Sequence, residues 1–234
     1  MSHFKRLNKE ISNYLRNYPS ESKEGSESHL IKMEDGLYLL INMKNVSHFK
    51  GLVFGPKDTS YQDGFYVFDF VVSDTYPFNP PVVKHLTTDG RIRFNPNLYE
   101  GGKVCLSILG TWAGPPWCST MTIETILQYL RMIMNEDPLR NEPGYSNPLT
   151  SNLQAKDYNE YVLHENIRYA IIEVKQKKIF PEFQSVIDYH YESIKDSLII
   201  KVTKLVSKPS SIITIPYSHK LETNYNSILE KLLE

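Results

Sequence analysis

Strand-forming segments follow one another closely in the first half of the chain, and their short connections constrain the fold most strongly. Each segment is rich in β-branched, aromatic and aliphatic residues, and the four segments are 37–42, 46–54, 65–72 and 82–87. A parallel pair of strands needs a crossover of a dozen or more residues, usually a helix, and none of these connections offers one. The sequence therefore predicts a four-stranded antiparallel meander.

Helical patterns lie on both sides of the predicted sheet. Apolar residues recur at intervals of three and four over residues 4–18, and Pro19 ends that pattern. Residues 20–29 are predicted to form a polar loop. Beyond the sheet, helical spacing covers residues from about 122, 156–175, 183–198 and 228–233, with one strand-like segment at 211–217. The predicted fold class is α+β, with an N-terminal helix, the meander, a long irregular loop and C-terminal helices.

The segment between the sheet and the later helices is rich in proline and glycine. Nine of the 14 prolines lie between Pro77 and Pro148. Because proline restricts the backbone, we expect a shaped loop, and long structured loops often carry function. Cys105 lies within this loop in surroundings that do not build a core, whereas Cys118 is expected to be a buried hydrophobe or a bystander. Two cysteines exclude a disulfide scaffold and a four-cysteine zinc site.

The charge balance excludes several classes of protein. Lys and Arg total 26 among the 234 residues, against 27 Asp and Glu, so the formal net charge is −1. We therefore expect neither nucleic-acid binding nor attachment to an anionic membrane. No apolar run approaches the roughly 20 residues that span a bilayer, and the N-terminus lacks the apolar stretch of a signal peptide. The expected location is the cytoplasm or the nucleus.

One cluster carries a resemblance to a known family. Asn95-Pro96-Asn97 is followed by Gly102-Lys103-Val104-Cys105-Leu106, with the cysteine eight residues after the second asparagine. This cluster resembles the active-site signature of the ubiquitin-conjugating enzymes. The likeness runs in the same order over residues 1 to about 170, with matching segments at 5–10, 55–65 and 76–81 and a tryptophan at 112.

The departures from the family pattern indicate a subgroup. Asn95 stands where the family usually has a histidine, and the segment 112–122 is longer than in the minimal members. These features resemble the large conjugating enzymes that have C-terminal extensions. The implied organisation is a catalytic core over residues 1–172 and an extension over residues 173–234 that packs on the core.

The resemblance implies chemical roles for particular residues. Cys105 is the implied nucleophile and carries ubiquitin as a thioester, because sulfur is nucleophilic near neutral pH and its thioester stays reactive toward amines. Asn97 is implied either to stabilise the tetrahedral oxyanion or to hold the loop in shape. Glu142 lies where the family has an acidic residue that orients the incoming lysine and accepts its proton, and Asp137 is a weaker candidate.

The resemblance also implies partners, which are ubiquitin, the ubiquitin-activating enzyme, a ubiquitin ligase and a protein substrate. The basic face of the first helix would meet the activating enzyme, since its charge suits steering toward an acidic partner. That face consists of Lys5, Arg6 and Lys9, and the residues implied for docking of RING-type ligases are Phe78, Pro115 and Pro116. No cofactor or metal is expected, because ATP is used by the activating enzyme and is not bound here.

Other interpretations of these residues stay open. The chain could carry another ubiquitin-like modifier, or it could be a non-catalytic ubiquitin-binding module, although such modules lose the cysteine. Cys105 with His85 or His164 could in principle form a cysteine hydrolase pair. Gly101-Gly102-Lys103 suggests a phosphate loop, but the upstream glycine and the following Ser or Thr are missing.

Overall fold

The structure of the chain is a computed structural model that describes residues 4–20, 27–145 and 148–234. The chain divides into two compact units, each assembled from several stretches of sequence. The first unit comprises Met1–Phe54, Tyr66–Arg91 and Asn97–Met132, and the second comprises Gly55–Phe65, Ile92–Pro96 and Ile133–Glu234.

A five-stranded sheet forms the first unit, in the order β1-β2-β3-β4-β5. The strands are β1 (Ser28–Glu34), β2 (Leu37–Asn42), β3 (His48–Phe54), β4 (Phe65–Val71) and β5 (Val82–His85). Each strand lies beside its neighbour in sequence, so the predicted meander and the α+β class are confirmed with one strand more than predicted. The prediction of a loop over residues 20–29 is wrong at its end, because Ser28 already pairs with Asn42. Residues 21–26 lie outside the described ranges.

A two-residue turn at Asp35-Gly36 joins the additional strand β1 to β2. Gly36 has a φ of 78°, which a glycine adopts at no steric cost. Asp-Gly is a common pair in such short turns, because the glycine takes the positive φ that the second turn position has here. Leu30 and Leu40 face each other across the resulting antiparallel pair. The turn therefore fixes the register that buries one face of this hairpin.

Helix α1 (Lys5–Asn17) packs through its apolar stripe, with Leu7, Ile11 and Tyr14 buried. Each fully buried aliphatic side chain of this kind contributes about 1.5–3 kcal/mol. The helix ends at Tyr18, whose backbone is extended because a proline follows. On the same helix, Glu10 is buried at 5% exposure, and its carboxylate is satisfied by several donors.

The Glu10 carboxylate connects α1 to helix α2 (Ile123–Ile133). It accepts hydrogen bonds from the Tyr76 hydroxyl and the Arg6 Nε, both at 2.8 Å, and from the backbone N–H of Ile123 at 3.4 Å. The first N–H groups of a helix have no partner within the helix, and a negative charge there also complements the helix dipole. A single buried carboxylate therefore anchors α1, α2 and the loop that carries Tyr76.

Helices dominate the second unit. They are α3 (Pro148–Glu165), a π-helical segment (Asn166–Glu173), α4 (Val174–Gln176), α5 (Gln184–Val206) and α6 (Tyr225–Leu233). A small hairpin of β6 (Ile212–Thr214) and β7 (Lys220–Glu222) lies between α5 and α6. The strand predicted at 211–217 is therefore too long, because Pro216 starts a 3-10 turn that removes Tyr217 from the strand.

The C-terminal segment packs on α3 within this second unit. The backbone N–H of Asn224 donates to Nε2 of His164 at 3.1 Å, and the Tyr225 hydroxyl donates to Glu160 at 2.6 Å. Because Nε2 accepts, the ring hydrogen of neutral His164 lies on Nδ1, which donates to Glu165 at 2.9 Å. None of the helices in the described ranges is long and apolar enough to cross a lipid bilayer.

Candidate active site

Residues 97–105 form a narrow hairpin in the first unit. Leu98 bridges Val104 as an antiparallel pair, and the Tyr99 N–H donates to the Lys103 carbonyl at 2.9 Å. The turn closes at Gly102, whose φ is +89°, and a Cβ atom there would lie 2.7 Å from the His85 carbonyl oxygen. Only glycine therefore fits without displacing the turn.

Asn97 and Cys105 close the open end of this hairpin with two hydrogen bonds. The Cys105 N–H donates to the Asn97 carbonyl at 2.8 Å. In return, the side-chain Nδ2 of Asn97 donates to the Cys105 carbonyl at 2.7 Å. We call this pair of bonds the Asn97–Cys105 clasp. The clasp fixes the backbone that carries the thiol on both sides of its Cα atom.

Thr111 holds the residues that flank Cys105. Its hydroxyl donates to the Val104 carbonyl at 2.8 Å and accepts from the Leu106 N–H at 3.0 Å. The backbone polar groups on either side of the cysteine are thus satisfied by one side chain. Sequence reasoning did not select Thr111, and a threonine six residues after a cysteine is no recognised signal.

The two cysteines differ sharply in exposure. Cys105 is only 1% exposed, which contradicts the expectation that a Gly- and Pro-rich loop would leave it outside a packed environment. Leu98, Val104 and Leu106 of the same segment are buried as well, so this part of the loop does contribute to the core. Cys118 is exposed and so is not a buried hydrophobe. A hydrogen bond with the Thr120 hydroxyl, 3.2 Å away, lowers the pKa of the Cys118 thiol.

Asn95 occupies a fully buried position in the second unit. Its Nδ2 donates to the Tyr61 hydroxyl at 2.9 Å and to the Ile133 carbonyl at 2.8 Å. The Tyr61 hydroxyl in turn donates to the carbonyl of Phe94 at 2.7 Å. Both hydrogens of the amide are therefore used to fix the segment that leads into Asn97. The Asn95 side chain therefore has a structural role within the second unit.

Glu142 and Asp137 lie at the two ends of a short 3-10 helix, Pro138–Asn141, in the second unit. Glu142 is half-buried, and its Oε2 accepts a hydrogen bond from the Tyr217 hydroxyl at 2.7 Å. Asp137 forms an ion pair with Arg140 on the same turn. That pairing gives Asp137 a local structural partner, as the Tyr217 hydroxyl gives one to Glu142.

The residues implied for ligase docking are exposed, and one hydrogen bond joins their two loops. Phe78 is 81% exposed, and Pro115 and Pro116 are also exposed. The indole Nε1 of Trp117 donates to the Pro77 carbonyl at 2.7 Å. The segment 112–121 is therefore tied to the loop that carries Phe78.

The basic residues implied for the activating enzyme share α1 but differ in their environments. Lys5 and Lys9 are exposed to solvent. Arg6 is half-exposed, and its Nε forms an ion pair with the buried Glu10 at 2.8 Å. Arg6 therefore has a structural partner that the other two do not share in this structure, so its substitution affects folding as well as charge.

The histidines do not support a hydrolase site. Burial lowers the pKa of His85 to about 3, so its ring is a poor base near neutral pH. Both ring nitrogens of His164 are engaged by Asn224 and Glu165, as described above. Within the described ranges, no group of three or more acidic, histidine or cysteine residues is arranged to hold a metal ion.

The fold and the Asn97–Cys105 clasp are typical of one class of protein. Comparison with known proteins identifies that class. The family model described as "Ubiquitin-conjugating enzyme" matches residues 6–166. The chain therefore belongs to the ubiquitin-conjugating enzyme family.

Individual curated proteins show a more specific similarity than the family model does. The chain is 41% identical over 144 residues to "Ubiquitin-conjugating enzyme E2 Z" of Xenopus tropicalis, covering 61% of this chain and 46% of that protein. The Homo sapiens protein of the same name is 40% identical over 144 residues, covering 61% of this chain and 40% of the relative. The chain thus spans less than half the length of these curated relatives.

The likeness to one solved structure supports the fold and assigns no function. An E2 domain of a Toxoplasma gondii ubiquitin conjugating enzyme superposes with a TM-score of 0.50 at 22% identity, covering 70% of this chain and 97% of that chain.

Proposed function

We propose that this chain is a ubiquitin-conjugating enzyme that accepts ubiquitin on Cys105 and transfers it to a substrate lysine or a ligase cysteine. The Asn97–Cys105 clasp is the observation that carries this proposal. In the clasp, Nδ2 of Asn97 donates to the carbonyl oxygen of Cys105 at 2.7 Å, so the asparagine and the cysteine of the family's active-site signature are in direct contact. The activating enzyme consumes the ATP, so the chain needs no cofactor or metal of its own. We expect it to act in the cytoplasm or nucleus.

The first step is an exchange between two thioesters. The Cys105 thiolate attacks the carbonyl carbon of the ubiquitin thioester on the activating enzyme, a new C–S bond forms, and the donor cysteine leaves as a thiolate. One thioester replaces another, so the step is nearly balanced in free energy and requires no dedicated base.

The second step transfers ubiquitin to an amine. A neutral lysine attacks the thioester carbonyl, an N–C bond forms, and the Cys105 sulfur leaves as a thiolate. Free lysine has a pKa near 10.4, so a carboxylate that orients the amine and accepts its proton assists the attack. We assign this role to Glu142.

Asn97 has a defined place in this scheme. Its Nδ2 holds the Cys105 carbonyl, so the contact at rest favours the loop-holding role. An amide donor of this kind can also stabilise a tetrahedral oxyanion by about 3 kcal/mol. A variant that charges normally but transfers slowly separates the second role from the first.

A charging assay tests the proposal. The chain is incubated with ATP, a panel of activating enzymes and a panel of ubiquitin-like modifiers, and thioester bands are separated without reductant. We expect a reductant-sensitive adduct with ubiquitin, no adduct for Cys105→Ala, and a reductant-resistant oxyester for Cys105→Ser. Cys118→Ser is the matched control and should charge as the unaltered chain does.

Each remaining result has a clear meaning. Charging of the Cys105→Ala variant would overturn the assignment of the nucleophile. Charging with another modifier in place of ubiquitin would change the cargo but retain the chemistry. A folded chain that binds ubiquitin without forming any adduct would instead be a non-catalytic binding module.

A further inference from the structure

Tyr217, in the C-terminal segment of the second unit, has an unusual backbone conformation. It follows Pro216 in a short 3-10 turn and has φ 81° and ψ 11°. A bulky residue in this left-handed region costs about 1–2 kcal/mol relative to a normal conformation. Such a conformation persists only where surrounding contacts hold it.

The contacts that hold Tyr217 lead directly to Glu142. The Tyr217 hydroxyl donates to Glu142 Oε2 at 2.7 Å, across 75 residues of sequence. On the face of the ring, the Arg93 guanidinium carbon lies 4.2 Å from the ring centroid. The Tyr217 side chain is thus held through its hydroxyl and through its ring.

Arg93 connects this arrangement to the segment that precedes Asn97. It is buried at 5% exposure, and its NH2 group donates to the Pro96 carbonyl at 2.9 Å. The Tyr158 hydroxyl donates to the Arg93 carbonyl at 2.9 Å, which fixes the backbone of the same residue. The chain Pro96–Arg93–Tyr217–Glu142 therefore lies entirely within the second unit.

The protonation of Tyr217 suits a hydrogen-bond donor. Burial and the neighbouring Glu142 carboxylate both raise the pKa of the Tyr217 hydroxyl, so it keeps its proton at physiological pH. The hydroxyl occupies Oε2 of the carboxylate, so the proposed reaction assigns the substrate amine to Oε1. The carboxylate is thereby restricted to fewer orientations before the amine arrives.

We propose that Tyr217 is a positioning residue that orients Glu142 for transfer of the modifier to lysine. This inference rests on the proposed function, because it assigns an active part to the C-terminal segment at the acid proposed above. The lysine amine attacks the Cys105 thioester, its excess proton passes to Glu142, and the C–S bond breaks. In this assignment Tyr217 acts only through the carboxylate that it holds.

Single-turnover discharge of the charged chain tests this assignment. Tyr217→Phe removes the hydroxyl and keeps the ring against Arg93, so it changes one hydrogen bond. Discharge is measured with free lysine and with hydroxylamine, which is already neutral near pH 7 and needs no proton acceptor before attack. We expect the ratio of the lysine rate to the hydroxylamine rate to fall about fivefold at pH 7.

The pH profile and a double variant make the test specific. The deficit of Tyr217→Phe should shrink as the pH rises toward the lysine pKa near 10.4, because solvent then supplies the neutral amine. Glu142→Gln should lower the same ratio, and the double variant should be no slower than Glu142→Gln alone. Tyr225→Phe is the matched control, since it removes the 2.6 Å bond from another tyrosine of the same segment to Glu160.

The outcomes separate this inference from the function on which it rests. Both nucleophiles act on the same charged molecules, so a loss of folded protein lowers both rates and leaves their ratio unchanged. An unchanged ratio for Tyr217→Phe, or effects that multiply in the double variant, would overturn the role of Tyr217 while charging still supports the proposed function. Failure of the unaltered chain to charge would overturn both.

Discussion

The side-chain amide of Asn97 donates to the backbone carbonyl of Cys105 at 2.7 Å, and the Cys105 N–H donates back to the Asn97 carbonyl at 2.8 Å. The two residues lie eight positions apart in sequence, and the hairpin between them brings them together. The clasp thus fixes the backbone on both sides of the Cys105 Cα atom.

Asn97→Ala should separate charging from transfer. We expect charging to persist and discharge to lysine to slow by at least tenfold, because the oxyanion loses an amide donor. Loss of the bond to the Cys105 carbonyl should also lower the free energy of unfolding by about 1–2 kcal/mol. Urea denaturation and single-turnover discharge measure the two effects separately. If the variant neither folds nor charges, the role of Asn97 is structural.

The stability of Asn95 variants should follow the number of N–H donors that each side chain offers to its buried partners. Asn95→Ala removes two buried hydrogen bonds and should cost about 2–4 kcal/mol. Asn95→His restores the residue type usual in the family, but a neutral imidazole has one N–H where the amide uses two. We therefore expect His to be less stable than Asn and more stable than Ala in urea denaturation. Equal stability of His and Asn would show that the Tyr61 and Ile133 contacts are not both needed.

The basic face of α1 should affect charging through its exposed lysines. Lys5→Glu with Lys9→Glu should lower kcat/KM for charging about tenfold at low salt, and this deficit should shrink as ionic strength rises. Arg16→Glu makes the same change of charge as either lysine substitution alone, at the other end of the helix, and should have a smaller effect than Lys5→Glu or Lys9→Glu measured singly. Equal effects at both ends would indicate that only net charge matters.

Arg6→Ala should differ from the lysine variants because it also affects folding. Removing Arg6 takes a charged donor from the Glu10 carboxylate, which is 6% exposed. We expect a loss of about 1–3 kcal/mol in the free energy of unfolding. The lysine variants should stay within about 0.5 kcal/mol of the unaltered chain. Thermal and urea denaturation of the three proteins makes this comparison.

Glu165 should make the second unit sensitive to acid. Burial alone raises the pKa of this carboxyl, but the hydrogen bonds from His164 and Arg168 outweigh burial and lower the pKa below 4.5. A lowered folded-state pKa stabilises the protein above the ordinary value, and this contribution is lost as the pH falls through the lower folded value. The free energy of unfolding should therefore drop below about pH 4.5.

A charge-neutral variant tests this acid sensitivity. Glu165→Gln should cost about 1–3 kcal/mol at pH 7, because Arg168 loses one of its two carboxylate partners and keeps Glu173 at 2.8 Å, and it should flatten the pH dependence. Glu192→Gln is the matched control, since Glu192 is 66% exposed and lies 4.0 Å from its lysine partner. The same pH dependence in both variants would mean that other carboxylates cause the acid unfolding.

Phe78 should contribute to ligase-dependent discharge and not to folding. At 81% exposure, its truncation to Ala should change stability by less than about 0.5 kcal/mol. We expect the stimulation of lysine discharge by a RING-type ligase to fall, measured as the ratio of rates with and without the ligase. Met132→Ala removes another exposed apolar side chain, 60% accessible, and should leave this ratio unchanged.

The sequence predicted elements that depend on local patterns. Segments rich in β-branched, aromatic and aliphatic residues predicted β2 to β5, and helical spacing predicted α1, α2, α5 and α6, because both signals lie within the residues of each element. β1 was missed because its polar neighbours dominated the segment. Asp35-Gly36 between two apolar runs is the signal that could have predicted it, since this pair is typical of two-residue hairpin turns.

The sequence by itself also singled out Cys105 as the candidate nucleophile, because the glycine, proline and asparagine spacing around it is a local pattern that resembles a known family. Only the tertiary structure decided what surrounds the candidate residues: the burial of Cys105, the ion pair that occupies Arg6, and the contact between Tyr217 and Glu142. The last two residues lie 75 positions apart and share no periodicity. Such contacts depend on how separate elements pack against one another. A sequence pattern indicates which face of an element is buried, but it does not indicate which residue of another element contacts that face.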